Sequence, residues 1–439
     1  MKAKKRIVRL IAFVTVVGLC PFARSAEPWT LERAIGHALT NSPNARIAQK
    51  RIAAARSGIA QANSAYWPQL QLQSSYTRTD NPLGVFGAAL SQRSFSPALD
   101  FNDVPDADNL NMRTVLTVPL YSGGRMSAAR EAAKANTEAS KAAAETVSHA
   151  LAYEVARAFH TILKMHEYIR VAESAVRSFE SNLAVASNRV AAGAALKTDR
   201  LDMLVRLAQA REDLLRARNA SSISEHALRT LLGIQEIDFL IADSAPAAAV
   251  PRDNEFMHRP ELAAIQHQQR AAEAQVREAK SSSRPRVGAF SSVDYDRGWK
   301  FDGSGKSYAA GVMLQWDLWD GKRTHGRVSE AQANLDAARE EERKLRLAIE
   351  FEIHQARLQF EEATGRMAVS ESAVTHAQES VGLTRARFEQ GLMIAAQLID
   401  AETALTSAQV RHVEANADQR IAIAALRKAL GLPQLNSRQ

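Results

Sequence analysis

The sequence predicts a mainly α-helical chain of two tandem repeats, each holding a pair of strands suited to a membrane β-barrel. Three observations carry this. Leu120-Tyr-Ser-Gly-Gly-Arg125 recurs as Leu318-Trp-Asp-Gly-Lys-Arg323, and the offset of 198 residues holds without insertion as far as Gly233 and Gly431. From Val155 the apolar positions step by three and four through Ala158, Ile162, Met165 and Ile169 to Val190, and the same steps recur from Ile353 to Phe388, failing only at Ser370 and Thr384. Such a heptad seam belongs to long helices packed side by side. Four stretches of about ten residues instead alternate polar and apolar side chains, imperfectly from Val287 to Tyr295, which suits tilted transmembrane strands.

The chain opens as an export signal does. Lys2, Lys4, Lys5, Arg6 and Arg9 precede an apolar run from Leu10 to Cys20, and Ala23-Arg24-Ser25 offers small residues for cleavage. Residues 1–25 are therefore expected to be removed. The formal charge of +8 includes six cations of this segment, so the remainder carries only about +2. No basic patch interleaved with aromatics stands out, and no nucleic-acid partner is expected. The single cysteine, Cys20, falls inside the signal, which excludes disulfides and thiolate metal sites from the mature chain. A lipidated Cys20 is the rival reading, although the bulky Leu19 precedes it.

Repeat one is assigned to residues 26–234. It begins with a helix from Trp29 to Tyr66, broken at Asn41-Ser-Pro43. Strands follow at 69–79 and 110–118. In the first, Leu70, Leu72 and Tyr76 oppose Gln69, Gln71, Gln73 and Thr77. Neither glycine nor proline interrupts Arg125 to Ala192, a helix roughly 100 Å long. Gly193 marks its end, and a last helix runs from Thr198 to Gly233. A linker at 235–252 leads to repeat two at 253–432. That repeat has a helix from Arg259 to Ser282, strands at 286–295 and 307–318, a second long helix, a bend at Gly391 and a helix from Gln397. Residues 433–439 form a tail. The opening helices match at a different offset, which leaves a surplus loop, Asp80 to Asp108, in repeat one. It is expected at the outer surface or folded into a barrel mouth. Its Asp100, Asp103, Asp106 and Asp108 lack EF-hand spacing, so a solvated acidic loop is favoured over calcium binding.

By alternation alone, a soluble half-buried sheet explains the strands as well as a membrane does. The export signal and the aromatic residues Trp67, Tyr121, Trp316 and Trp319 at the strand ends next to the helices favour the membrane, as interface anchors. Four strands cannot close a barrel. Two chains give eight strands with a filled interior, and three give twelve with room for a lumen. A conducting protein of this kind is therefore expected to be a homotrimer.

The order helix, strand, loop, strand, Pro119-Leu-Tyr-Ser-Gly-Gly-Arg125, long helix, Arg-x-x-x-Gly, helix ending Leu-Gly, and then all of it again, resembles the TolC-like outer-membrane efflux proteins. The resemblance covers nearly the whole mature chain. It implies a trimer with a twelve-stranded β-barrel in the outer membrane of a Gram-negative bacterium, above an α-helical barrel in the periplasm. It implies an exit duct for small molecules in a tripartite efflux pump, with a periplasmic adaptor and an energising inner-membrane transporter as partners. The exit duct of a type I protein secretion system is the alternative.

The resemblance also places residues. Arg189, Gly193, Ala194, Arg387, Gly391 and Leu392 fall at the adaptor-docking tip, where plain helix-capping turns are also required. Thr198, Asp199, Asp202, Gln397 and Asp400 fall at the periplasmic aperture. A ring of carboxylates there selects for cations. Asp199 is equally a first-turn carboxylate favoured by the helix dipole. The family's latch has a tyrosine where this chain has Phe388, an arginine where it has Met393 and an aspartate where it has Gln397. Its ionic chemistry does not transfer, and closure by Phe388, Leu392 and Met393 is the expected substitute.

No enzyme is visible. The eleven histidines are scattered, no Gly-rich phosphate loop occurs, and no cofactor or metal is expected. A periplasmic coiled-coil adaptor would carry one hairpin between β-domains, and a purely structural coiled coil would lack the strands. Both fit less well than a duct.

Overall fold

The computed structural model describes residues 28–98, 100, 102–235, 240–242, 249–251 and 255–435. The signal, Cys20 and parts of the linker and tail lie outside them. Helices α1 (Leu31–Asn41) and α2 (Pro43–Ser64) meet at Ser42, where Pro43 starts the second helix. Strand β1 (Gln69–Thr79), helix α3 (Pro82–Ser91) and strand β2 (Ala107–Tyr121) follow. Then come α4 (Arg125–Ala191) and α5 (Lys197–Leu232). The second half holds α6 (Pro260–Ser281), β3 (Arg286–Arg297), β4 (Ser304–Gln315), α7 (Arg323–Glu389) and α8 (Ala395–Ala429). Both α4 and α7 have 67 residues, about 100 Å each. Helix α7 reaches that length despite Gly326, Gly365 and Gly382.

The strands form one antiparallel sheet in the order β1-β2-β3-β4. Its register sorts the side chains. Leu70, Leu72, Tyr76, Met112, Leu116, Val293, Tyr308 and Val312 share one face. Gln71, Gln73, Asn111, Arg113, Ser292, Asp294, Asp296 and Ser307 share the other. The first set is mostly exposed and apolar, as a lipid-facing side requires.

Strand β2 is longer than 110–118 because Ala107 to Asn109 pair with β1 and Tyr121 pairs with Val287 beyond a bulge at Leu120. Pro119, which lacks an N–H, sits beside that bulge. Strand β4 was expected to reach residue 318 but ends at Gln315. Trp316 leaves the ladder to donate its indole N–H to the Ser283 carbonyl at 3.1 Å, and Asp317 lies between Arg286 and Arg323. Asp320 then caps α7 through the Thr324 amide at 2.9 Å.

The surplus loop holds a helix the sequence reading did not expect. Asn81 caps α3 by accepting the Leu83 and Gly84 amides, and Pro82 occupies its first turn. The end of α3 lies on the polar face of the sheet. A Cβ on Gly305 would stand 1.9 Å from the Ser91 carbonyl oxygen, and one on Gly298 or Gly303 would stand 2.1 or 2.8 Å from Gln92. Gln92 is buried and donates to the Asp108 carbonyl at 2.7 Å and to Asn109 at 3.0 Å. Of the acidic residues expected to be solvated, Asp108 is buried and accepts the amides of Trp299 and Lys300, while Asp106 pairs with Arg78 and Lys300. Asp100 accepts the Asn102 amide and is exposed.

The helices form a wall. Near the sheet, α4 packs between α2 and α6, and α6 packs on α7. Below, α4 packs between α5 and α8, and α8 packs on α7. One edge of the chain is thus β1, α2 and α5, and the other is β4 and α7. A central core joins Trp29, Ile35, Val155, Phe159, Ile162, Leu228 and Leu232. A second core at the far end joins Phe179, Ala186, Met203, Phe388, Ala395 and Leu398.

Candidate functional site

The end of the wall farthest from the sheet is built from two bends. Gly193 and Gly391 adopt φ of +71° and +82°, a left-handed conformation that glycine tolerates at a helix end. The Ala194 amide closes the first bend on the Arg189 carbonyl at 2.8 Å, and the Leu392 amide closes the second on the Arg387 carbonyl at 2.9 Å. The two arginines then part ways. Arg189 donates to the Phe388 carbonyl at 2.6 Å and to the Ala194 carbonyl at 3.1 Å. Its guanidinium also lies 4.9 Å from the centre of the Phe388 ring. Arg387 is exposed.

Thr198, Asp202, Gln397 and Asp400 are exposed near these bends, and Leu392 is 73% exposed. Asp199 is committed locally, since its carboxylate accepts the Leu196 amide at 3.1 Å and caps α5. Met393 is half-buried against the tip core. Phe388 does not fit the closing role expected of it. Its side chain is 1% exposed, packed inside the protomer under Arg189, so it has no free face to close an opening.

A buried polar cluster stands just above the tip. The Glu402 side chain accepts the Asn182 amide at 2.9 Å and pairs with Arg385, which donates to the Ser178 hydroxyl at 2.9 Å. Glu402 and Asn182 are 3% and 2% exposed. Residues of α4 are thereby joined to residues of α7 and α8, so the two bends are locked to each other. Sequence reasoning missed these four residues. The available signal was a polar side chain in line with apolar ones at helical spacing: Asn182 beside the seam between Phe179 and Ala186, and Glu402 within Ala395, Leu398, Glu402, Leu405.

At the other end, the polar face of the sheet carries a network. Asp294 accepts from Arg113 at 2.7 Å, and Asp296 accepts from Asn109 at 2.6 Å and Asn111 at 3.0 Å. Trp67, Tyr121, Trp316 and Trp319 are all exposed where the sheet meets the helices. Among the described residues no helix is long and apolar enough to cross a membrane, and no group of three or more His, Cys, Asp or Glu could hold a metal.

Comparison with known proteins agrees with this architecture. The outer membrane protein OprJ of Pseudomonas aeruginosa is 25% identical over 429 residues, covering 91% of this chain and 84% of its own. The alkaline protease secretion protein AprF of the same organism is 24% identical over 349 residues, covering 76% and 72%. The crystal structure of CusC, described in terms of folding and transmembrane channel formation, superposes with a TM-score of 0.78 at 16% identity, covering 92% of each chain. Residues 34–234 and 254–432 match the outer membrane efflux protein family. The chain belongs to that family, and it is an outer-membrane channel protein of efflux or secretion rather than an enzyme.

Proposed function

We propose that three copies of this chain close into a twelve-stranded barrel on a helical tube, and that the tube carries small molecules out of the cell. The observation that carries the assembly is the pair of unfilled edges. Strands β1 and β4 each have one unpaired side among the described residues, and an open edge invites pairing with another chain. The helical edges carry matching apolar stripes. On α7, Leu347, Phe351, Leu358, Val369 and Leu383 are exposed and fall within about 40° of one another. On α5, Leu201, Val205, Leu215 and Ile223 are exposed. Leu201 and Leu383 stand eight residues from Gly193 and Gly391, and Leu215 and Val369 stand twenty-two. The stripes therefore meet at equal heights when β4 and α7 of one copy face β1 and α5 of the next.

In this arrangement the polar face of the sheet lines a lumen, and the four aromatic residues sit at the membrane interface. Thr198, Asp202, Gln397 and Asp400 line the periplasmic aperture, with Leu392 and Met393 as apolar neighbours. Gly193, Ala194, Arg387, Gly391 and Leu392, positioned by Arg189, form the surface for a periplasmic adaptor, which couples the duct to an inner-membrane transporter. Similarity to AprF supports a second reading, the export of a protein.

Leu215→Cys with Val369→Cys tests the assembly, since the mature chain is expected to bring no thiol of its own. Oxidation should yield a denaturant-resistant band of three chains. A dimer alone, or a ladder beyond three, sinks the trimer. Outer-membrane fractionation and single-channel recording in a planar bilayer test the duct itself.

A further inference from the structure

Between α4, α5 and α8, above the tip, lies a cavity of about 450 Å³. It exists because facing positions are small. Ala172, Ala175, Ala210, Ala217 and Ala220 stand where larger side chains would interdigitate. Met165 and Phe179 of α4 bound its apolar floor. Its mouth is polar and belongs to one stripe of α5. Asp202, Arg206, Gln209, Asp213 and Arg216 step by four, three, four and three residues, so they share a helix face. The mouth therefore opens on the side that carries Asp202. That side is the lumen of the duct proposed above, and the inference rests on that reading.

The charges at the mouth are unequal. Arg216 is already held by Glu212 and Asp213. Arg206 donates to Gln209 at 3.2 Å and meets no carboxylate among the described residues. At the far end the Tyr168 hydroxyl donates to Glu414 at 2.6 Å. Burial, with that carboxylate beside it, pushes the phenol well above its ordinary range, so it stays protonated. An apolar hollow of this volume suits a small organic molecule. A guanidinium without a counter-ion at its rim complements one anionic group.

We infer that this cavity is a resting site for anionic amphiphiles in transit, a hydrophobic body in the alanine-lined hollow with its acid group on Arg206. Each copy of the chain supplies one such site, above the aperture.

Single-channel recording on the wild-type protein tests this, with anilinonaphthalene sulfonate as probe and uncharged N-phenylnaphthylamine as its analogue. The sulfonate should produce saturable, brief current blocks. Arg206→Gln should weaken its blocking affinity about tenfold, as expected for loss of one charge-assisted contact, and leave the uncharged analogue unaffected. Ala217→Phe, or Ala172→Met should the first variant fold poorly, should abolish blocking by both and keep the channel open. Blocks that survive cavity filling, or a conducting wild type that is never blocked, overturn the site. A protein that does not conduct at all sinks the duct instead. In that event saturable binding of the sulfonate in lipid nanodiscs, lost in Ala217→Phe, still tests the cavity.

Discussion

Asn182 of α4 donates its side-chain amide to Glu402 of α8 at 2.9 Å, and both side chains are almost wholly buried. This contact, with Arg385 on the same carboxylate, holds the two bends of the tip together. Removing Glu402 leaves the Asn182 amide buried without its acceptor and Arg385 without its counter-ion, which weakens the packing at this point. Glu402→Ala should therefore loosen the tip and raise single-channel conductance. Combining it with Arg385→Met, which removes the stranded cation, should bring the conductance back toward that of the wild type. Equal conductance in all three proteins would falsify the lock.

The exposed carboxylates Asp202 and Asp400 are the second test. In the proposed trimer, three copies of each around the aperture would favour cations. Asp202→Asn with Asp400→Asn should move the reversal potential in a salt gradient toward zero. An unchanged reversal potential means that another constriction sets selectivity. Asp199→Ala should act differently: the Asp199 carboxylate reaches back to the Leu196 amide at the start of α5, so its removal should lower stability by about 1 kcal/mol.

At the outer end of the sheet, Gly305 has no room for a side chain against the Ser91 carbonyl. Gly305→Val should expel the end of α3 from the polar face or strain the sheet, a penalty of about 1–3 kcal/mol for overpacking. Released, the loop should become sensitive to trypsin at Arg93. Continued resistance would show that the added side chain is accommodated without displacing α3.

His160 gives a pH signature. Burial, aided by the charge on Arg420, holds the imidazole down at about 4. An unfolded histidine titrates near 6.5, so between those values the unfolded chain binds the proton more readily than the folded one. Stability therefore falls as pH drops from about 6.5 to 4, by about 3 kcal/mol in all. His160→Leu should flatten that stretch of the melting-temperature profile. Parallel profiles for the two proteins would remove His160 as the cause.

The long helices were legible because α4 keeps an unbroken apolar seam without glycine or proline. The seam also tolerated Ser370, whose hydroxyl is satisfied by the Met367 carbonyl and His412. The strands were legible by alternation, and β1 has the ends expected of it, but β2, β3 and β4 do not. Strand β2 runs on past a bulge beside Pro119 to Tyr121, and β4 stops at Gln315 because the Trp316 indole bonds across to Ser283. Helix α3 announced itself in Asn81-Pro82 and was overlooked among loop residues. Phe388 was misjudged for a deeper reason. A heptad pattern says that a residue faces a neighbouring helix, but not whether that neighbour belongs to the same copy. Its burial depends on Arg189, 199 residues away in sequence.

Arg189 and Arg387 occupy matching places before the two bends, yet only Arg189 is spent on internal contacts. In a closed ring of three copies, six tips would then alternate between one whose cation is sheathed and one whose cation is bare. Such a tube, six-fold in outline, would be three-fold in charge. A surrounding ring of six identical acidic contacts would find strong sites only at every second position. In the proposed assembly the duplication would thereby set a phase for whatever grips the tip.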